Sequence, residues 1–292
     1  MKLSKIIASL TLATAATLVL TGCGNNAAGA DEVWDASMPI SIVSREEGSG
    51  TRGAFVELFD VEDADGNDAT TIEAIIGNGT SGVRAAVAGD EFAIGYVSLG
   101  ALDGSVTPLT VDGVEASSAN VLSGDYGVAR PFVAVVQEDN DNELVADFMA
   151  FIMSAQGQAV VADNGYVSIP DLPEFTGGNV SGSITIGGST SVVPVIEHLL
   201  EAYNEMNPNV VFYVHSQGSG AGITGASEGT FDIGLSSRAV REAEIELGLV
   251  ATDIAFDAIA VIVHNDNPTT DISAQAVTDI FLGYILNWNE VN

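Results

Sequence analysis

Short β-branched apolar runs alternate along this chain with longer stretches in which apolar residues return every three or four positions. The short runs are "ISIVS", "FAIGYVSL", "FVAVVQ", "SITIGG", "VVFYVHS", "FDIGLS" and "AIAVIVH". Each is bounded by Gly, Asn, Asp or Pro, and each predicts a strand. The clearest helical stretch is "SVVPVIEHLLEAYNEM", where Val192, Ile196, Leu199, Leu200 and Tyr203 fall on one face and Pro194 sits in the first turn, where its missing N–H is harmless. "NELVADFMAFIMSAQGQAVV" predicts a second long helix, with Leu144, Val145, Phe148, Met149 and Ile152 on one side. Strands alternating with helices predict an α/β architecture with largely parallel sheets. Residues 170–183, "PDLPEFTGGNVSGS", predict an internal linker from their Pro, Gly and Ser content.

The first residues carry a different pattern. Lys2 and Lys5 precede the apolar stretch "IIASLTLATAATLVL", which ends in "LTGC" at Cys23. A basic start followed by an apolar segment too short to span a bilayer comfortably reads as an export signal over residues 1–22. The small residues ahead of Cys23 resemble the lipobox of bacterial lipoproteins, which implies cleavage before Cys23 and acylation of its thiol. Residues 23–30 then predict a flexible tether. Cys23 is the only cysteine, so no intramolecular disulfide is possible. About 260 residues remain after the tether, enough for two units with cores of their own.

Charge narrows the functions open to those units. The chain has 8 Lys+Arg against 40 Asp+Glu, a formal net charge of −32, and beyond Lys5 every basic side chain is an arginine. Such a field repels nucleic acid and anionic lipid surfaces, so contact with a membrane is expected only through the anchor. An anionic ligand must be captured by a local, shaped set of donors.

Three segments offer such donors: "ISIVSREEGSGTRGAF", "SITIGGSTSVVPVIEHLL" and "VVFYVHSQGSGAGITGA". In each, a strand runs into a Gly/Ser/Thr turn that opens a helix. A helix N-terminus presents unpaired N–H groups and the positive end of its dipole, glycines allow close approach, and hydroxyls add donors. A single turn of this kind is equally well explained as a loop or an N-cap. Three in one chain, one of them with an arginine, point to a small tetrahedral oxyanion held by several helix ends.

Other chemistries fit poorly. A phosphate-binding P-loop needs a lysine after its glycines, and none exists beyond Lys5. A nucleophile elbow needs Gly-x-Ser-x-Gly, whereas Gln217 stands where the first glycine belongs in "QGSGAG" around Ser219. His198, His215 and His264 are scattered, His198 reads as helix packing, and no His, Cys or carboxylate cluster has metal-ligand spacing. No metal, cofactor or catalysed reaction is expected. "DVEDADGND" and "EDNDNE" read as solvated acidic loops.

The quoted turns, together with "FDIGLSSR" and "IFLGYILNWNEV", resemble the phosphate-binding proteins of bacterial Pst-type phosphate ABC transporters. The resemblance covers nearly the whole exported chain. It implies a periplasmic-binding-protein fold of type II, in which two α/β lobes joined by crossover strands close on a desolvated phosphate. It also implies a ligand set of Arg45, Ser49, Gly50 and Thr51 from the first turn, Thr190 and Ser191 from the second, and Ser219 and Ser237 beyond. Glu47 matches the acidic partner that orients the arginine. Inorganic phosphate, the permease subunits of an ABC importer and a lipid-anchored, monomeric state outside the cytoplasm follow from the same resemblance.

Two features depart from the family pattern. The segments stand in an order that reads as a circular permutation, with residues 170–183 joining the usual ends; a fragment of a tandem duplication is the other reading, and the single complete set of motifs favours permutation. This places one lobe at residues 31–106 plus 270–292 and the other at 107–269. In addition, some members carry an aspartate at the position of Ser237, where it accepts the proton of hydrogen phosphate; a hydroxyl there weakens the rejection of sulfate. Arg238 beside it either adds charge to the site or makes a surface ion pair.

Overall fold

The computed structural model describes residues 34–291, so the signal peptide of residues 1–22, Cys23 and the whole tether of residues 23–30 lie outside the described residues. The chain starts with β1 (Ser41–Arg45), α1 (Gly50–Leu58), β2 (Ile75–Gly77), α2 (Gly79–Ala88) and β3 (Ala93–Ser98). Short elements follow: β4 (Thr107–Pro108), β5 (Thr110–Val111) and α3 (Ser118–Ser123). The middle contains β6 (Ala129–Gln137), α4 (Glu143–Ile152), α5 (Ala155–Asp163), β7 (Gly182–Gly188), α6 (Val193–Met206) and β8 (Val210–Ser216). Then come α7 (Ser219–Ser227), β9 (Ile233–Ser236), α8 (Glu242–Ile245), β10 (Leu249–Val263), β11 (Asp271–Ile272) and α9 (Ala274–Phe281).

All seven apolar runs form strands, in mixed sheets whose pairing is parallel within each half. The strand order is β2-β1-β3-β10-β6-β9-β7-β8. β1 is parallel to β2 and β3, and β7 is parallel to β8 and β9. Every pair made by β6 or β10 is antiparallel. These two long strands link the parallel halves. β10 pairs with β6 from Leu249 to Ala258, then changes partner at Ile259 and pairs with β3 up to Val263. That exchange is the crossover between two lobes.

The pairings also redraw the lobe boundary expected at residues 106 and 270. Thr107 pairs with Val263 and Thr110 with Asp271, so residues 107–111 and the end of β10 lie with β1–β3. The reason is β10 itself: its 15 residues are long enough to belong to both halves, which a boundary drawn from composition does not reveal.

Each half has its own core. In the first, Phe55 stacks on Tyr96 with centroids 3.8 Å apart, and Phe281 meets both rings. In the second, Phe148, Phe151 and Tyr203 pack with Ile184, Ile196 and Leu199, which places the apolar stripe of α6 inside as its spacing predicts. His198, on the opposite side of that helix, is exposed, which corrects its reading as a packing residue. The stretch after Asn142 is two helices, α4 and α5, bent by 60°. Ser154 caps α5 by accepting from Gly157 N–H at 3.1 Å, and a Cβ on Gly157 would stand 2.2 Å from the Phe151 carbonyl oxygen. The close turn therefore depends on this Ser–Gly pair. Residues 168–181 form no helix or strand, and are pinned where Asp147 and Asn207 accept from Gly178 N–H and Asn179 N–H.

Candidate functional site

Four strand-to-helix turns meet where the two halves face each other. Three are those read from the sequence, at the starts of α1, α6 and α7. The fourth, between β2 and α2, brings in Thr80, which sequence reasoning missed. Its signal was present: "IIGNGTSG" repeats the strand, glycine turn and hydroxyl of the others, but on a strand of three residues whose isoleucines are exposed.

Arg45 stands at the centre. It closes β1, is 1% exposed, and its backbone N–H donates to the Tyr96 hydroxyl at 3.2 Å, so the first aromatic core fixes where its side chain begins. Nη1 donates to Thr51 Oγ1 at 3.3 Å and Thr80 Oγ1 at 3.4 Å. Nη2 donates to Thr190 Oγ1 at 2.9 Å, across to the other half of the molecule. Ser191 Oγ lies 2.9 Å from Thr51 Oγ1 and 3.1 Å from Thr80 Oγ1. One guanidinium and four hydroxyls from both halves thus form a single network.

Gly50 and Ser219 extend it. A Cβ on Gly50 would lie 2.1 Å from Ser219 Oγ and 2.8 Å from Ser237 Oγ, so the start of α1 touches the start of α7 at a point that only glycine permits. Ser219 Oγ accepts from Ser237 N–H at 3.0 Å, and Gly220 N–H donates to the Gly48 carbonyl at 3.2 Å. Ser49 caps α1, accepting from Arg52 N–H at 3.3 Å. Neither Asn78 nor Gly218 caps its helix with a side chain, so N–H groups in the first turns of α2 and α7 find acceptors elsewhere, as Gly220 N–H does at the Gly48 carbonyl.

The acidic partner of Arg45 is Glu46, not Glu47. Glu46 Oε1 accepts from Nη2 at 2.7 Å and Oε2 accepts from Nε at 2.8 Å, a bidentate pair. The same Oε2 accepts from Gly79 N–H at 3.0 Å at the positive end of α2. Glu46 has this second donor to reach and Glu47 does not; Glu47 is exposed on the rim. That rim encloses a groove of about 810 Å³ lined by Glu47, Ser49, Arg52, Arg238 and Glu244 among others. Arg238 pairs with Glu244 at 2.6 Å, which settles its role as an ion pair outside the network. Among the described residues, no group of three or more His, Cys, Asp or Glu could hold a metal ion.

Burial raises the Glu46 carboxyl, but the hydrogen bonds and charge of Arg45, helped by Gly79 N–H, overcome it and hold the group below its ordinary 4.5. A carboxyl lowered by folding contributes stability at pH above its unfolded value and loses that contribution as pH falls through the lower, folded value. Glu46→Gln should therefore flatten the fall of the thermal midpoint below about pH 4.5. Identical acid limbs for the variant and the parent would show that the pair does not act this way.

Comparison with known proteins gives the same picture. A family model described as a PBP superfamily domain matches residues 25–156 and 173–292. A phosphate-binding protein PstS 2 of Streptococcus agalactiae is 40% identical over 278 residues, 94% of this chain and 93% of its own length. The phosphate-binding protein PstS of Bacillus subtilis is 37% identical over 113 residues, 38% of each chain. A crystal structure of a phosphate-binding protein of a phosphate ABC transporter from Streptococcus pneumoniae is 43% identical, covers 87% of this chain and 100% of its own, and superposes with a TM-score of 0.70. With a family model spanning most of its length and a relative matched almost end to end, the chain belongs to the phosphate-binding proteins of the PBP superfamily.

Proposed function

We propose that the protein binds inorganic phosphate outside the cytoplasm and delivers it to the permease subunits of an ABC-type importer, without catalysing a reaction. The observation that carries this reading is the buried Arg45 guanidinium, aimed by Glu46 at hydroxyls supplied by both halves of the molecule. A charge-assisted donor, a ring of hydroxyls and uncapped helix starts together favour a small anion with several acceptor oxygens. Arg45, Ser49, Gly50, Thr51, Thr80, Thr190, Ser191, Ser219 and Ser237 form the ligand set, and Glu46 orients the arginine. Closing the lobes on the anion replaces its water with these fixed donors.

The rest of the reading concerns setting. Lipid attachment at Cys23 keeps a monomeric protein at the membrane while the strongly acidic folded part stays in solution. The segment order is a circular permutation with its joint at residues 170–183. In support, the streptococcal relative aligns along almost its whole length while the B. subtilis relative aligns over 38%.

Titration calorimetry tests the reading. One phosphate should bind per chain, and sulfate should compete measurably, because Ser237 offers a hydroxyl where a carboxylate would repel it. Absence of binding heat and of any thermal shift with phosphate would remove the proposed function.

A further inference from the structure

We propose that Arg130 is a positioning residue for the bound anion, acting through Ser237 from the crossover between the lobes, with Asp257 limiting how much of its charge reaches the cleft. The inference rests on the phosphate reading above.

Arg130 and Asp257 pair across β6 and β10, one residue before β10 leaves β6 at Ala258 to join β3 at Ile259. The ion pair therefore sits on the strands that connect the lobes. Both residues are almost fully buried, at 2% and 1% exposure. Arg130 Nε and Nη2 donate to Asp257 Oδ2 at 3.2 and 3.0 Å, and its guanidinium lies 5.5 Å from the centre of the Phe132 ring. The third nitrogen, Nη1, donates to the Ser237 carbonyl at 3.2 Å.

Ser237 is fully buried, and its N–H donates to Ser219 Oγ, the atom closest to the start of α1. A continuous chain of contacts thus runs from the crossover through Ser237 and Ser219 to Gly50. The third bond satisfies a buried N–H of Arg130 and at the same time ties the ion pair to the backbone of Ser237. Burial acts against the charge on Arg130 and lowers its pKa, Asp257 offsets only part of this, and the like charge of Arg45 adds to the lowering, so the two arginines feel each other within one poorly solvated region. An anion beside Arg45 feels both.

Phosphate calorimetry and thermal unfolding of four proteins test this: the parent, Arg130→Met, Asp257→Asn, and the double variant Arg130→Met with Asp257→Leu. Asp257→Asn keeps an oxygen to accept from Arg130 but removes the negative charge. It should unfold at lower temperature yet bind phosphate severalfold more tightly. Arg130→Met should bind at least tenfold more weakly. The double variant replaces the pair with apolar groups and so should recover stability, while its phosphate affinity stays as weak as that of Arg130→Met. If Arg130→Met does not fold, the double variant carries the comparison alone. A structural role would instead make both single variants bind more weakly in step with their lost stability, and the double variant would bind like the parent; that result overturns the proposal. A parent protein that does not bind phosphate overturns the underlying functional reading, a distinct outcome.

Discussion

Arg45→Ala is expected to weaken phosphate binding by a hundredfold or more, about 3–5 kcal/mol, the usual consequence of removing one member of a buried, hydrogen-bonded charge pair. The guanidinium reaches Thr51, Thr80 and Thr190 while Glu46 holds it from behind, so its removal disconnects hydroxyls from both lobes at once. Lysine should not rescue the loss, because a point charge on a flexible stem cannot make the fork that Glu46 accepts while also reaching three hydroxyls. Calorimetry of the alanine and lysine variants measures the effect. A Kd within threefold of the parent would take Arg45 out of the site.

Gly50→Val is expected to lower phosphate affinity by a hundredfold or more while leaving the unfolding temperature nearly unchanged. The added Cβ would stand 2.1 Å from Ser219 Oγ and 2.8 Å from Ser219 Cβ, far inside van der Waals contact. The overlap is between lobes, so separating them relieves it without disturbing either core. Closure then fails, and with it the exclusion of water from the anion. Gly53→Ala is the control: its Cβ would meet only Arg238 Cδ at 3.6 Å, an ordinary contact. Small-angle scattering should report a more open shape for Gly50→Val in the presence of phosphate, and for that variant alone. If Gly50→Val closes and binds like the parent, the two helix starts do not meet as described.

Most of this was legible in the sequence because it is local. Strand runs, the apolar stripe of α6 and the three Gly/Ser/Thr turns depend on neighbours a few residues away, and they stand where the pattern places them. What the sequence hid depends on distant partners. The family resemblance implies Glu47 as the acidic partner of Arg45, but the choice is made by Gly79, 33 residues from Glu46, whose N–H gives that carboxylate a second donor. β10 is longer than its apolar run because Asp253 and Asp257 break the hydrophobic pattern, and Asp257 is buried by virtue of Arg130, 127 residues away. The antiparallel crossovers, and with them the lobe boundary, follow from the same long-range pairing. Thr80 is the exception, since its turn had the right local form on a strand too short and too exposed to draw notice.

A crystal structure of the protein grown with phosphate tests the central claim most directly. The account predicts one tetrahedral anion between the starts of α1, α2, α6 and α7, with Arg45 and hydroxyls from both lobes within hydrogen-bonding distance. An anion bound elsewhere, or bound to one lobe with the four helix starts apart, would contradict it.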